Sequence, residues 1–320
     1  MQLLTYYITI GLLLLHTAPI KANLLLPDRE ALIFSGVAGK TSESQSVTVT
    51  AAFEKSPLKV HYQISGKHAA AFELITTSPI ALKPHQSHSI SLRFSPEKEL
   101  VGALEAKLEI LTDDTPALSM ALYGLSAVGV EGKNEPGMDL ILQTLGIKID
   151  IGWAGLTNHT HPELQGSEIK ASLFRRAHPG TVSLQPVARY SPNFLLPFGY
   201  YIPTESAPNL FVLGTLAQKT STKDEHNCLF PSLASGQTTF DPGNKKFGIF
   251  TSSPSHFAYS EDLLNQRLEP KHVPHAVRVY PARNRKGDLL TNTYLICFEE
   301  ATNGDYQDYV FLLSNVIPVN

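Results

Sequence analysis

The sequence predicts an all-β protein of two β-sandwich domains, an immunoglobulin-like one followed by a larger jelly-roll-like one with one or two short helices. Three observations lead there: short runs that alternate apolar and polar residues, turn residues between them, and almost no helical periodicity. With 320 residues, 42% of them hydrophobic, the chain is long enough for two domains that each bury a core. The expected order is a leader over 1–22, a first sandwich over 23–128, a linker over 129–137 and a second sandwich over 138–320.

The leader is read from "LLTYYITIGLLLLHTAPIKA", an apolar run to Leu15, then Pro19, then Ala22 where a peptidase can cut. The run is short for a membrane span, so an export signal is expected, either cleaved or retained as an anchor. No later stretch is long and apolar enough to cross a bilayer. From 31 to 127 come "SQSVTVTAAF", "LKVHYQISG", "AAFELITTS", "HSISLRFSP", "ALEAKLEILTD" and "ALSMALYGLSA". In the fourth of these, Ile90, Leu92 and Phe94 share one face while Ser89, Ser91 and Arg93 share the other, the pattern of a half-buried strand. "VGVEGKNEPGMD" carries the Gly, Pro and charge of a linker.

After the linker, Leu140, Ile141 and Leu145 predict a short amphipathic helix, and "IKIDIGW" an alternating strand. Strand-like runs then continue through "EIKASLFRRA", "VSLQPVARY", "LFVLGTL", "KFGIFTSS", "AVRVYPA", "NTYLICFEE" and "DYVFLLSNVIP". A second short helix is expected at "YSEDLLNQRL", with Ser260 as its cap and Asp262 near its N-terminal dipole.

The formal charge of -3 and pI near 6.5 give no bulk attraction to nucleic acid or anionic lipid, and no block of Lys and Arg supplies a local one. "GVAGKTS" lacks the first glycine of a phosphate loop, because Phe34 stands there, and reads as a turn before a strand. There is no G-x-S-x-G elbow. In "NHTHPE", His159, His161 and nearby Glu163 suit zinc by type but fall in a Pro-containing polar loop; Asn158 opens a sequon. Cys228 and Cys297 are the two cysteines; in an exported chain they are either a disulfide or two separate thiols.

"EEATNGDYQD" packs Glu299, Glu300, Asp305 and Asp308 around Asn303-Gly304. Three readings stand open: a metal loop, since calcium wants several oxygens from a compact turn; a hairpin with Asn-Gly at its bend; or an acid pair for hydrolysis. The EF-hand spacing is absent.

Two resemblances add to these readings. "SVTVT", "FEL", "SPIALKPHQSHSISLRFSP" and "GALEAKLEILTDDTPALSMALYGLSA" together resemble the sandwich of the ASPM/SPD-2/Hydin type, a module that mostly spaces or docks other things. "TFDPGNKKFGIFTSSP", "AYSEDLLN", "HAVRVYP" and "NTYLICFEEATNGDYQDYVFLLSNVIP" resemble the domain of unknown function 4114, found in secreted or surface-anchored bacterial proteins. The match extends over most of 136–320, with the 150–235 portion only loosely similar. Its acidic signature falls here on Glu299, Glu300, Asp305 and Asp308, with Gly304 at the turn. Gln307 stands where that pattern often has Asn or varies, while Asp241, Glu261 and Asp262 are acidic members of other blocks.

The expectation is a secreted, periplasmic or cell-surface protein, more a non-catalytic binding or structural protein than an enzyme, with calcium as its cofactor and a surface glycan or protein as its partner. Trp153, Tyr190, Tyr200 and Tyr201 are candidates for a sugar-stacking surface, although "FGYYIP" also suits core packing. The alternative is an extracellular, glycosidase-like hydrolase that uses the acidic cluster.

Overall fold

The computed structural model describes residues 25–53, 57–112, 115–152, 163–219, 227–299 and 303–319. The expected leader, Trp153, the His159 and His161 pair, the sequon and Glu300 lie outside the described residues.

Alternation becomes a sandwich in the first domain. Its strands are β1 (Leu25–Pro27), β2 (Ala31–Val37), β3 (Gln45–Ala51), β4 (Leu58–Ser65), β5 (Phe72–Leu74), β6 (Ile80–Leu82), β7 (Ser87–Phe94), β8 (Gly102–Thr112) and β9 (Thr115–Ala127). One sheet has the order β1-β3-β7-β5 and the other β2-β9-β8-β4-β6. Strand β2 runs parallel to β9. Ile90, Leu92 and Phe94 are buried as the alternation requires, and Phe94 packs its ring against Phe34 and Phe72. "GVAGKTS" is the end of β2 followed by a turn at Gly39, which has φ 77°.

Helix α1 (Met138–Leu145) follows, closed by Gly146 in the left-handed conformation that glycine adopts without strain. The predicted strand "IKIDIGW" does not form over 147–152. Ile147 and Ile151 are buried, but against helix and sheet side chains, and the Asp150 carbonyl accepts from Ser167 N across a turn rather than along a ladder.

The second domain contains β10 (Leu173–Arg176), β11 (Val182–Arg189), β12 (Leu196–Ile202), β13 (Asn209–Leu216), β14 (Cys228–Leu229), β15 (Leu233–Gly236), β16 (Thr239–Phe240), β17 (Gly248–Ser252) and β18 (Phe257–Tyr259). Helix α2 (Asp262–Leu268) comes next, then β19 (Val277–Arg283), β20 (Leu289–Phe298), β21 (Tyr309–Ser314) and β22 (Val316–Val319). A six-stranded sheet runs β14-β11-β21-β20-β19 with β16 beside β11, and a five-stranded sheet runs β15-β13-β12-β17-β18. Helix α2 stands where expected, but its cap residue is Glu261 and no side chain caps it. The Ser260 hydroxyl instead donates to Ser172 O and accepts from Ile249 N.

The six-stranded sheet is covered on both faces. Ile296, Phe298 and Phe311 enter the core between the two sheets. Leu295, Cys297 and Val310 face the other way, into a cluster with Met138, Ile141 and Leu142 of α1 and Leu125 of the first domain. This is why "YLICF" reads as continuous apolar chain rather than alternation. Further ties join the domains: Leu229 N donates to Ser35 Oγ at 3.0 Å, and the Arg285 guanidinium lies 3.6 Å from the centre of the Tyr123 ring.

No disulfide joins Cys228 and Cys297. Cys228 pairs with Arg189 on β11, β11 pairs with β21, and Cys297 lies on β20 beyond it. Three strand spacings separate the two, roughly 14 Å, whereas a disulfide needs Cα atoms within about 7 Å.

Gly124 on β9 has a packing reason: an added Cβ would lie 2.3 Å from the buried Phe94 ring. Gly124→Ala is expected to cost about 1–3 kcal/mol, read from urea unfolding, and Phe94→Leu in the same chain should recover part of the loss. A neutral Gly124→Ala would show that the ring has room to move.

Candidate cation site

The last pair between β20 and β21 is Phe298 with Tyr309, so residues 299–308 form the whole connection and Asn303-Gly304 is not the bend of a two-residue turn. Polar connections normally run over the surface. Here Gly304, Asp305, Tyr306, Gln307 and Asp308 are all buried. The loop is pinned from several sides: Glu299 N donates to Ala276 O at 3.0 Å and Tyr190 N to Asp308 O at 3.2 Å. Tyr306 adopts φ 53°, a sparsely populated conformation for a side chain of its size. Its hydroxyl donates to His275 O at 2.7 Å and its N–H to Glu299 Oε2 at 3.1 Å.

This fold of the loop brings Glu299, Asp305 and Asp308 together, with one carboxylate oxygen of each within 4.8 Å of the others. Two oxygens bound to one calcium at 2.3–2.6 Å lie no more than about 5 Å apart, so the spacing fits a shared cation. Glu299 is 0% exposed and Asp305 2%. Among the described residues, Glu299 Oε1, Asp305 Oδ1, Asn303 Oδ1 and Gln307 Oε1 are buried with no hydrogen-bond donor. Buried oxygens without donors are costly, and a hard cation satisfies several at once. Burial, and for Glu299 also the charge of Asp305, pushes both carboxyls above the usual carboxylate range.

The other acidic candidates go elsewhere. Asp241 pairs with Arg176 at 2.6 Å, Glu261 accepts from the Tyr201 hydroxyl at 2.9 Å, and Asp262 pairs with His275. None of them joins the cluster of loop carboxylates, and the clefts that Glu261 borders are lined by no residue of the loop. Tyr190 and Tyr201 are buried core residues, so they form no sugar platform. Tyr200 is half-buried between the rings of Phe211 and Phe240, at 4.8 and 4.3 Å.

Sequence reasoning missed the polar network beneath the loop. His275 Nδ1 lies 2.9 Å from Asp262 Oδ2 and Nε2 lies 3.1 Å from Glu168 Oε1. Glu168 also holds Arg278, whose guanidinium covers the Tyr306 ring at 4.5 Å. Glu168, Asp262 and His275 border a cleft of about 520 Å³. Burial opposes the imidazolium, but hydrogen bonds to Asp262 and Glu168 outweigh it and raise the His275 pKa above 6.5. Asp262, His275 and Arg278 lie close together in sequence, but Glu168, which joins them, comes from a distant part of the chain, and nothing in the sequence announces that link. Among the described residues no helix is long and apolar enough to cross a membrane.

Comparison with known proteins bears on the first domain. A family model described as Cep192 domain 4 matches residues 22–127, and the N-terminal domain is immunoglobulin-like. Among solved structures, the ASH / PapD-like domain of human CEP192 (PapD-like domain 7) is similar at 15% identity, covering 38% of this chain and 97% of that one, with a TM-score of 0.27. The secreted serine protease VesC from Vibrio cholerae is similar at 12% identity over 89% of this chain and 48% of that one, with a TM-score of 0.24. With TM-scores this low, neither bears on what this chain does. No curated protein matches the chain. None of these comparisons supports the resemblance of the C-terminal half to the domain of unknown function 4114. Fold and site together define a two-domain all-β protein with a buried acidic loop.

The His275 cluster gives a signed pH prediction. A pKa raised above 6.5 in the folded state means its ion pairs contribute stability that is complete below pH 6.5 and fades as pH rises through the raised value. His275→Asn should cost about 2 kcal/mol at pH 6 and clearly less at pH 9, measured by urea unfolding. An equal cost at both would show that the charge on His275 contributes nothing.

Proposed function

We propose that this chain is an exported, non-catalytic binding or structural protein whose C-terminal sandwich holds calcium in the 299–308 loop. The observation that carries the reading is the convergence of Glu299, Asp305 and Asp308 beside buried oxygens that lack donors. Oxygen-only ligands favour a hard cation, and calcium tolerates the irregular geometry of side chains from one loop better than magnesium does. Glu300 belongs to the same acidic run. The apolar leader supports export, and a secreted or surface location would expose the loop to millimolar calcium.

The hydrolase alternative is less well supported. Carboxyls that hydrolyse a glycoside flank a substrate groove, about 5–9.5 Å apart, whereas these lie within 4.8 Å of one another and are shut from solvent. The clefts at α1, at α2 and beside β2 are lined by other residues. For the partner, a surface glycan or protein, the outer ring of the aromatic stack is the best-placed surface. Phe211 is 44% exposed between exposed Leu210 and Val212, and its ring is held flat by Tyr200, a geometry suited to stacking on a sugar ring.

Thermal unfolding in calcium, magnesium and EDTA tests the cation. Calcium should raise the melting temperature with concentration, by the equivalent of about 2.7 kcal/mol at a hundredfold excess over its Kd, and Asp305→Ala with Asp308→Ala should abolish the rise. No shift in the parent protein would remove calcium from the account. On a glycan array, Phe211→Ala should erase any binding that the parent shows; retained binding would place the partner surface elsewhere.

A further inference from the structure

We infer that the cation site reaches into the connection between the two domains through Gln307 and Glu135, so that cation binding fixes the domain junction. The inference rests on the calcium reading of the loop and adds its regulation. Gln307 is 1% exposed. Its Nε2 donates to Glu135 Oε2 at 2.9 Å and to Asp305 Oδ2 at 3.3 Å, while its Oε1 is buried without a partner. The amide nitrogen therefore bridges the interdomain segment and Asp305, and the amide oxygen is left buried without a donor among the described residues. With a cation among Glu299, Asp305 and Asp308, Oε1 is the natural further ligand, and the amide nitrogen is then polarised toward Glu135.

Glu135 is built to pass this on. Its other oxygen, Oε1, accepts from Gly132 N at 2.6 Å and closes the 3₁₀ turn Gly132–Asn134. One carboxylate thus ties the turn between the domains to the loop that carries the acidic cluster. Val130 packs with α1 and Tyr306 in the cluster that also holds Leu125 of the first domain. Ordering the loop and ordering 128–137 are then one event rather than two. Glu135 acts here as a positioning residue.

Calcium alone is the probe, on the whole protein. Titration calorimetry gives the affinity, and amide hydrogen exchange over 128–137 reads the junction. Binding by the parent protein should slow exchange across 128–137 at least about tenfold. Glu135→Gln and Gln307→Ala should each weaken calcium binding about tenfold or more, the range seen when a ligand's support is removed, and should lose the slowing. The double variant should be no worse than either single one, while Glu131→Gln, an exposed neighbour, should behave as the parent. If the parent binds calcium but exchange at 128–137 is unchanged, or if both single variants match the parent, the coupling is wrong and the cation site stands. If the parent does not bind calcium, both fall.

Discussion

The burial of Glu299, Asp305 and Asp308 is the constraint on which the rest of the C-terminal domain turns. An ionised carboxylate removed from water without compensation costs far more than a domain's whole stability, so Glu299 and Asp305, closed off from water, demand compensation from their surroundings. Hydrogen bonds supply only part of what they need. Glu299 receives the Tyr306 N–H, and Asp305 the Asn303 and Gln307 side-chain amides, yet each keeps an oxygen without a donor among the described residues. The strained φ of Tyr306 has its explanation in the same place, because only that turn sets Glu299 against Asp305 while sending the tyrosine hydroxyl to His275 O.

The scaffold around the loop is unusually well anchored for a connection between two strands. β20 and β21 are central strands of a sheet packed on both faces, so the two ends of the loop are rigid. Beneath it, the Glu168, His275, Asp262 and Arg278 network fixes the floor on which Tyr306 rests. A site supported in this way can be precise without being flexible. That precision suits a structural cation better than a substrate that must enter and leave.

The alternating runs made the first domain legible because each strand there has one buried and one open face, as β7 shows. The same rule failed where burial is two-sided. The segment 147–152 alternates, but its isoleucines pack on α1 and the sheet instead of pairing, and β12 was hidden because Phe198 and Tyr201 are both core residues in a short run containing Pro197. The acidic loop could be found from composition alone, since Glu299, Asp305 and Asp308 crowd a short stretch. The burial of residues 304–308 and the hydrogen bond from Gln307 to Glu135 could not, because Glu135 comes from a distant part of the chain. Cys228 and Cys297 show the limit of counting: pairing depends on strand order, which the sequence does not state.

The chain is thus best understood as an immunoglobulin-like domain fastened to a larger sandwich whose closing hairpin is organised around buried charge. Its fold and its candidate site share one logic, in which paired central strands present a loop that gathers Glu299, Asp305 and Asp308. The most direct test is a crystal structure of the protein grown with calcium. The account predicts a single density peak, confirmed by anomalous scattering, about 2.4 Å from carboxylate oxygens of Glu299, Asp305 and Asp308. The same loop with no peak, its carboxyls protonated and hydrogen-bonded to one another, would contradict it.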